Sequence, residues 1–186
     1  MPVQVQQGFQ GRKGSFIGAS TESFGGHSDR EVYLDYKQVD LVDLAAEIQK
    51  FGVGRRVIFC HRDHENCKMM KRLSPEIRTM LWIPDKEIDY KFEEVLNTGF
   101  EALDIVQIHL ADAAKGEEWR YRVQRPFLLN ALEHLTEAGL ELEVLPFYLD
   151  QDSLFGLLDM GIKRFAVDEP KVFVDALDRY FNNSIV

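Results

Sequence analysis

Nothing in this sequence is apolar for long enough to cross a bilayer, since no run approaches the ~18 residues a membrane span needs. The opening Met-Pro-Val-Gln-Val-Gln-Gln-Gly has no basic segment followed by an apolar one, so no secretory signal is legible. Positive charge is also in deficit. A net charge of −9 argues against nucleic acid or an anionic membrane surface as the main partner, although a local basic pocket for a small phosphate stays open. Cysteine is scarce. Cys60 and Cys67 fall in strand-like and helix-like segments with no zinc spacing, the pattern of reduced structural thiols. These absences together point to a soluble, cytoplasmic protein. At 186 residues with 45% apolar and 28% charged content, the chain is long enough for one well-buried core.

Residues 1–30 are rich in Gly, Ser and Gln and read as an irregular N-terminal arm. Within it only Ser15 to Ala19 has strand character, and Gly11-Arg12-Lys13-Gly14 lacks the following helix that would complete a phosphate cradle. Residues 31–186 are regular. Strand-like runs at 31–37, 57–60, 78–83, 105–110, 142–147 and 164–167 alternate with amphipathic helices at 41–51, from 63 on, at 90–97, 125–138, 152–160 and 170–181. Aspartates at 40, 63, 152 and 168 occupy cap positions, and glycines at 52, 99, 139 and 161 follow helices. Strict alternation with near-continuous apolar strands is the pattern of parallel βα units covered on both faces. About six units are present. A doubly wound sheet and a (β/α) barrel both satisfy that pattern, but no Gly-x-Gly-x-x-Gly follows a strand, so a dinucleotide fold loses weight.

In either architecture ligands bind beyond the C-terminal strand ends. The first strand, Glu-Val-Tyr-Leu-Asp-Tyr-Lys, places Tyr33, Asp35 and Lys37 on one face. A carboxylate and an ammonium there suit an oxygen-ligated divalent cation and an anionic substrate, or else a structural ion pair. The second strand runs into His61, Arg62, Asp63 and His64, and the third leads to Asp85 and Lys86. Gln107 and His109 share one face of the fourth strand, and Asp150 and Asp168 follow the fifth and sixth. Asp63 and Asp168 equally fit helix caps, while His61 and His64 equally fit exposed loop positions. The long 111–124 connection, with Lys115, Trp119, Arg120 and Arg122, is either a lid or a solvated loop.

The order of these segments resembles the C-terminal three-quarters of the glycerophosphodiester phosphodiesterases, which are (β/α)8 TIM-type barrel enzymes. Tyr-Leu-Asp-Tyr-Lys with its following helix is similar to that family's third strand, where a Glu-x-Lys supplies a metal-ligating carboxylate and a substrate lysine. Val57 to Cys60 with Asp63, Glu65 and Asn66 resembles the fourth strand. Leu73-Ser74-Pro75-Glu76-Ile77-Arg78-Thr79 looks like the family's leucine-x-proline-glutamate-x-arginine-threonine stretch. Gly161 to Pro170 resembles the end of the eighth strand. The resemblance therefore implies an incomplete barrel of about six βα units.

It further implies Asp35 as a ligand for Mg²⁺ or Ca²⁺, Lys37 as a contact to a small phosphodiester substrate, and metal-assisted hydrolysis; Arg62, at the end of the second strand, is a further candidate contact to that substrate by its position. The family's opening His-Arg-Gly, its Glu-Asn-Thr and its second catalytic histidine have no counterpart, and Asp35 stands where the family has the longer glutamate. Proton transfer would fall to His61 and His109. The alternative is a non-catalytic, diverged or truncated barrel that binds a small phosphorylated ligand or a partner chain. Six strands cannot close an eight-stranded barrel, so self-association or a longer parent chain is expected.

Overall fold

The computed structural model describes residues 31–35 and 40–183. The N-terminal arm, its Ser15–Ala19 segment and Lys37 lie outside them. The described chain alternates strand and helix throughout: β1 (Val32–Asp35), α1 (Leu41–Phe51), β2 (Val57–His61), α2 (His64–Leu73), β3 (Arg78–Ile83), α3 (Ile88–Asn97), β4 (Ile105–Leu110), α4 (Arg125–Glu137), β5 (Glu141–Pro146), α5 (Gln151–Asp159), β6 (Arg164–Phe165) and α6 (Pro170–Asn183).

All neighbouring strands are parallel and lie in the order β1-β2-β3-β4-β5-β6. A doubly wound sheet reverses its strand order at a switch point. This sheet never reverses, and it curls into a half-barrel.

The helices begin and end for local reasons. The Asp40 carboxylate accepts from the backbone N–H groups of Val42 (2.8 Å) and Asp43 (3.2 Å), and Gly52 closes α1 at φ 64°. That left-handed geometry is one glycine adopts without a Cβ penalty. Asp63 caps α2 through Glu65 N–H at 3.0 Å. For α5 the cap is Asp150 rather than Asp152: its side chain accepts from Ser153 N–H, and the Ser153 hydroxyl accepts from Asp150 N–H. Asp152 instead sits in the first turn. The third helix starts two residues before the expected Tyr90, because a single 3₁₀ turn at Asp85–Glu87 feeds directly into it.

Strand alternation sorts the side chains. Leu34, Val57, Phe59, Leu81, Ile83, Val106, Ile108, Leu110, Leu142, Val144 and Phe165 face the helices and join the main core. A smaller group on the concave face, Ile58, Cys60, Met80 and Ile105, packs against Tyr33.

One polar clamp joins α2 to the sheet. The Asp104 carboxylate accepts from the N–H of fully buried Thr79 and from Lys71 Nζ, both at 2.7 Å. The Thr79 hydroxyl donates to the carbonyl of Ala102 at 2.5 Å. Asp104→Ala strands a buried backbone donor, which costs about 1–3 kcal/mol. The expected result is a lower urea midpoint at unchanged slope, read by circular dichroism.

Both thiols are buried. Burial first, then the charges of Asp63 and Asp104, pushes Cys67 up to about 12, and burial with Glu143 and Asp35 raises Cys60 as well. Since the thiolate is the reactive form, iodoacetamide at pH 8 is expected to leave both untouched in the native chain and to alkylate both in urea. Mass spectrometry of the treated protein checks this, and native labelling would show that the β2–α2 region opens readily.

Candidate functional site

The C-terminal rim of the half-barrel is assembled from the last residues of β1 to β5 and the loops that follow. Asp35 closes β1 in register with Cys60 of β2, and its side chain is exposed. Lys37, its expected companion, lies outside the described residues.

The second strand distributes its charged end over two faces. His61 shares the outward parity of Phe59, and the two rings stack at 5.9 Å. Its Nδ1 accepts from Asp63 N–H at 2.9 Å, at the start of α2, and Asn66 Nδ2 lies 3.3 Å away. Arg62, one residue on, turns inward: its guanidinium lies 5.6 Å from the Trp82 ring and pairs with Glu87 at 3.2 Å. The structure therefore does not bring His61 and His109 together. Adjacent strand positions point to opposite faces, so the parity of His61 with Phe59 was the available signal.

His109 is the imidazole on the concave face. Its ring is stacked on Trp82 (5.1 Å, 4° between planes) and met edge-on by Phe147 (5.6 Å). Its Nε2 is 3.0 Å from Gln107 Oε1, and Gln107 Nε2 donates to Glu143 Oε1 at 2.5 Å. On its other oxygen, Glu143 accepts from Tyr33 Oη (2.6 Å) and from Arg164 Nε (2.8 Å). Arg164 also donates to the Tyr33 hydroxyl at 2.5 Å. Burial, then the charge and hydrogen bond of Glu143, push the Tyr33 phenol far above its ordinary range against the pull of Arg164. Burial works against the Arg164 charge, but Tyr33, Glu143 and Glu141 outweigh it and hold the guanidinium protonated.

Of this cluster, Gln107 and His109 were legible from their shared strand face. Glu143, Arg164 and Trp82 were not singled out, although charges inside otherwise apolar strands signal paired burial. Trp82 Nε1 is buried with no hydrogen-bond partner.

The long 111–124 connection is a pinned hairpin. Asp112 and Tyr121 form an antiparallel bridge. Arg120 reaches both oxygens of Asp112 at 3.1 Å and also binds the Asp150 carboxylate. Arg122 pairs with Asp85 at 3.1 Å. Tyr121 is fully buried and donates to the carbonyl of Tyr148 at 3.0 Å, and burial pushes its phenol up to about 12. Asp150 is thus committed to capping α5 and to Arg120. Partial burial would raise its carboxyl, but the Ser153 bonds and Arg120 hold it below the ordinary carboxylate value.

Among the described residues no three or more His, Cys, Asp or Glu side chains converge where a metal ion could be held. Glu143 is engaged by three donors. The described residues do not by themselves make up the divalent site expected around Asp35. No helix among them is long and apolar enough to cross a membrane.

No family model and no curated protein matches this sequence. Solved structures do resemble it. A glycerophosphodiester phosphodiesterase from Agrobacterium tumefaciens superposes with TM-score 0.63 at 20% identity, over 87% of this chain and 61% of that one. A glycerophosphoryl diester phosphodiesterase from Parabacteroides distasonis gives TM-score 0.54 at 13% identity, over 80% of this chain and 50% of that one. The chain thus spans between half and three-fifths of the length of these relatives in structure. At such identity the likeness speaks for the fold. The described residues thus form an incomplete α/β barrel whose six βα units are similar in fold to part of these solved barrels.

Proposed function

We propose that the chain is a glycerophosphodiester phosphodiesterase-like protein that takes a small phosphodiester at the C-terminal rim of its half-barrel. The observation that carries this reading is the group of nitrogen donors on the concave face. The Trp82 indole N–H is buried without an acceptor, the His109 imidazole is stacked on that indole, and the Arg62 guanidinium lies over the same ring. A buried donor without a partner calls for an acceptor, and a phosphate oxygen is one that suits the indole N–H and the guanidinium, with the His109 ring beside them.

Each residue then has a role set by its chemistry. Arg62 offers a planar fork that matches phosphate geometry. Lys37 supplies a second cation to the phosphoryl group. His109 is the group for proton transfer to or from an ester oxygen. Asp35 is the carboxylate that a Mg²⁺ or Ca²⁺ ion would take as one of its oxygen ligands. His61, bonded to the start of α2, contributes from the other face by fixing the turn that carries Arg62.

A second reading is favoured by one observation: the described residues hold no metal cluster. In that case the rim binds a phosphorylated ligand without cleaving it.

The test is hydrolysis of a glycerophosphodiester by the 186-residue chain with Mg²⁺, with Ca²⁺ and with chelator. Asp35→Ala, Lys37→Ala, Arg62→Ala and His109→Ala serve as variants. Under the enzyme reading, turnover requires the cation and falls roughly 10²-fold or more in His109→Ala. Under the binding reading there is no turnover, but calorimetry finds saturable binding that weakens about tenfold in Arg62→Ala, the size of a hydrogen bond to a charged group. A folded protein with neither turnover nor binding would end the proposal.

A further inference from the structure

We infer that Gln107 and Glu143 are positioning residues for His109: in the neutral form of the ring they hold the proton on Nε2, which makes Nδ1 the nitrogen that takes up and gives off a proton. The importance of that nitrogen for proton transfer rests on the phosphodiesterase reading above; the tautomer itself does not.

The argument starts at Glu143, which is essentially closed to solvent. Its Oε2 receives Arg164 Nε at 2.8 Å and the Tyr33 hydroxyl at 2.6 Å. A carboxylate so engaged only accepts. Its Oε1, 2.5 Å from the Gln107 side chain, must therefore meet the amide nitrogen and not the amide oxygen. Gln107 is itself buried, and its amide has one accepting end and one donating end. With the donating end committed to Glu143, the accepting end faces His109 Nε2 at 3.0 Å, and that nitrogen must carry the hydrogen.

Turning the amide over would set its oxygen against a carboxylate at hydrogen-bond distance, in a site where water cannot relieve the clash. The imidazole is also hemmed in, by Trp82 on one face and the Phe147 edge. Direction is thus passed along a buried chain, from Arg164 and Tyr33 through Glu143 and Gln107 to the ring. Its origin is the pair of residues that links the first and last strands.

The experiment is ¹⁵N spectroscopy of the full chain labelled at histidine, with His109→Asn identifying the signal among the five histidines. At a pH where the ring is neutral, the wild type is expected to show a pyrrole-type Nε2 and a pyridine-type Nδ1. Glu143→Gln is the informative variant. Arg164 and Tyr33 keep the new amide's oxygen in the place of Oε2, so its nitrogen faces Gln107. Gln107 then turns over and presents its own nitrogen to His109, and the ring proton moves to Nδ1. The expected change is a roughly tenfold reversal of the tautomer ratio, the scale one misdirected buried hydrogen bond enforces.

A wild-type ring protonated on Nδ1, or a folded Glu143→Gln protein that keeps Nε2–H, overturns the inference. If Glu143→Gln does not fold, Gln107→Leu takes its place. There the Nε2 proton is expected to exchange with water about 100-fold faster than in the wild type, the loss of one buried partner plus its shielding, and unchanged protection overturns the inference. Neither readout depends on turnover, so a chain that only binds its ligand still tests the relay.

Discussion

The structure depends on a buried carboxylate that holds together the two ends of an open sheet. Among the described residues β1 and β6 are the edge strands and share no ladder, yet Tyr33 of one and Arg164 of the other are 2.5 Å apart and both bind Glu143. A second tier repeats the device: Arg78 pairs with Glu31 and Glu141, and Arg164 also pairs with Glu141. A closed barrel fills its interior with interdigitating apolar layers from all its strands. Here the apolar layer on the concave face is small, and charged side chains long enough to reach across it connect the edges. Buried ion pairs add little net stability over apolar packing, but losing one partner leaves an uncompensated charge. Such a tie favours one curvature of the sheet over others.

The same interaction shapes the rim. Glu143 is joined through Gln107 to His109, so this imidazole on the concave face is the end of a chain that begins at the edges of the described sheet. The loops above are tied down in a similar way, with Arg120 bridging Asp112 and Asp150 and Arg122 meeting Asp85. What reads in the sequence as a long polar loop is a braced hairpin. Its arginines are spent largely on the protein's own carboxylates.

The likeness to phosphodiesterases gains physical content from the residues that carried the resemblance. In the stretch from Leu73 to Thr79, Ser74 and Ile77 are buried, Arg78 supplies the lower tier of ion pairs, and Thr79 is clamped by Asp104. These roles concern the barrel wall.

The sequence by itself determined the six βα units, their described boundaries to within a residue or two, and the strand faces of Gln107, His109 and Asp35, because period-two and period-3.6 patterning and capping are properties of neighbouring residues. It left the doubly wound sheet and the barrel side by side, because both are written in the same local pattern and differ only in which strand lies next to which. Tertiary structure decided that order. It also decided the fate of the charges: Asp150 became a cap, His61 turned to the helix layer, and Tyr33 met Glu143 and Arg164, each more than a hundred residues further along the chain. Pairing of charges across a folded interior is set by distance in space, and distance in space is what a linear pattern does not carry.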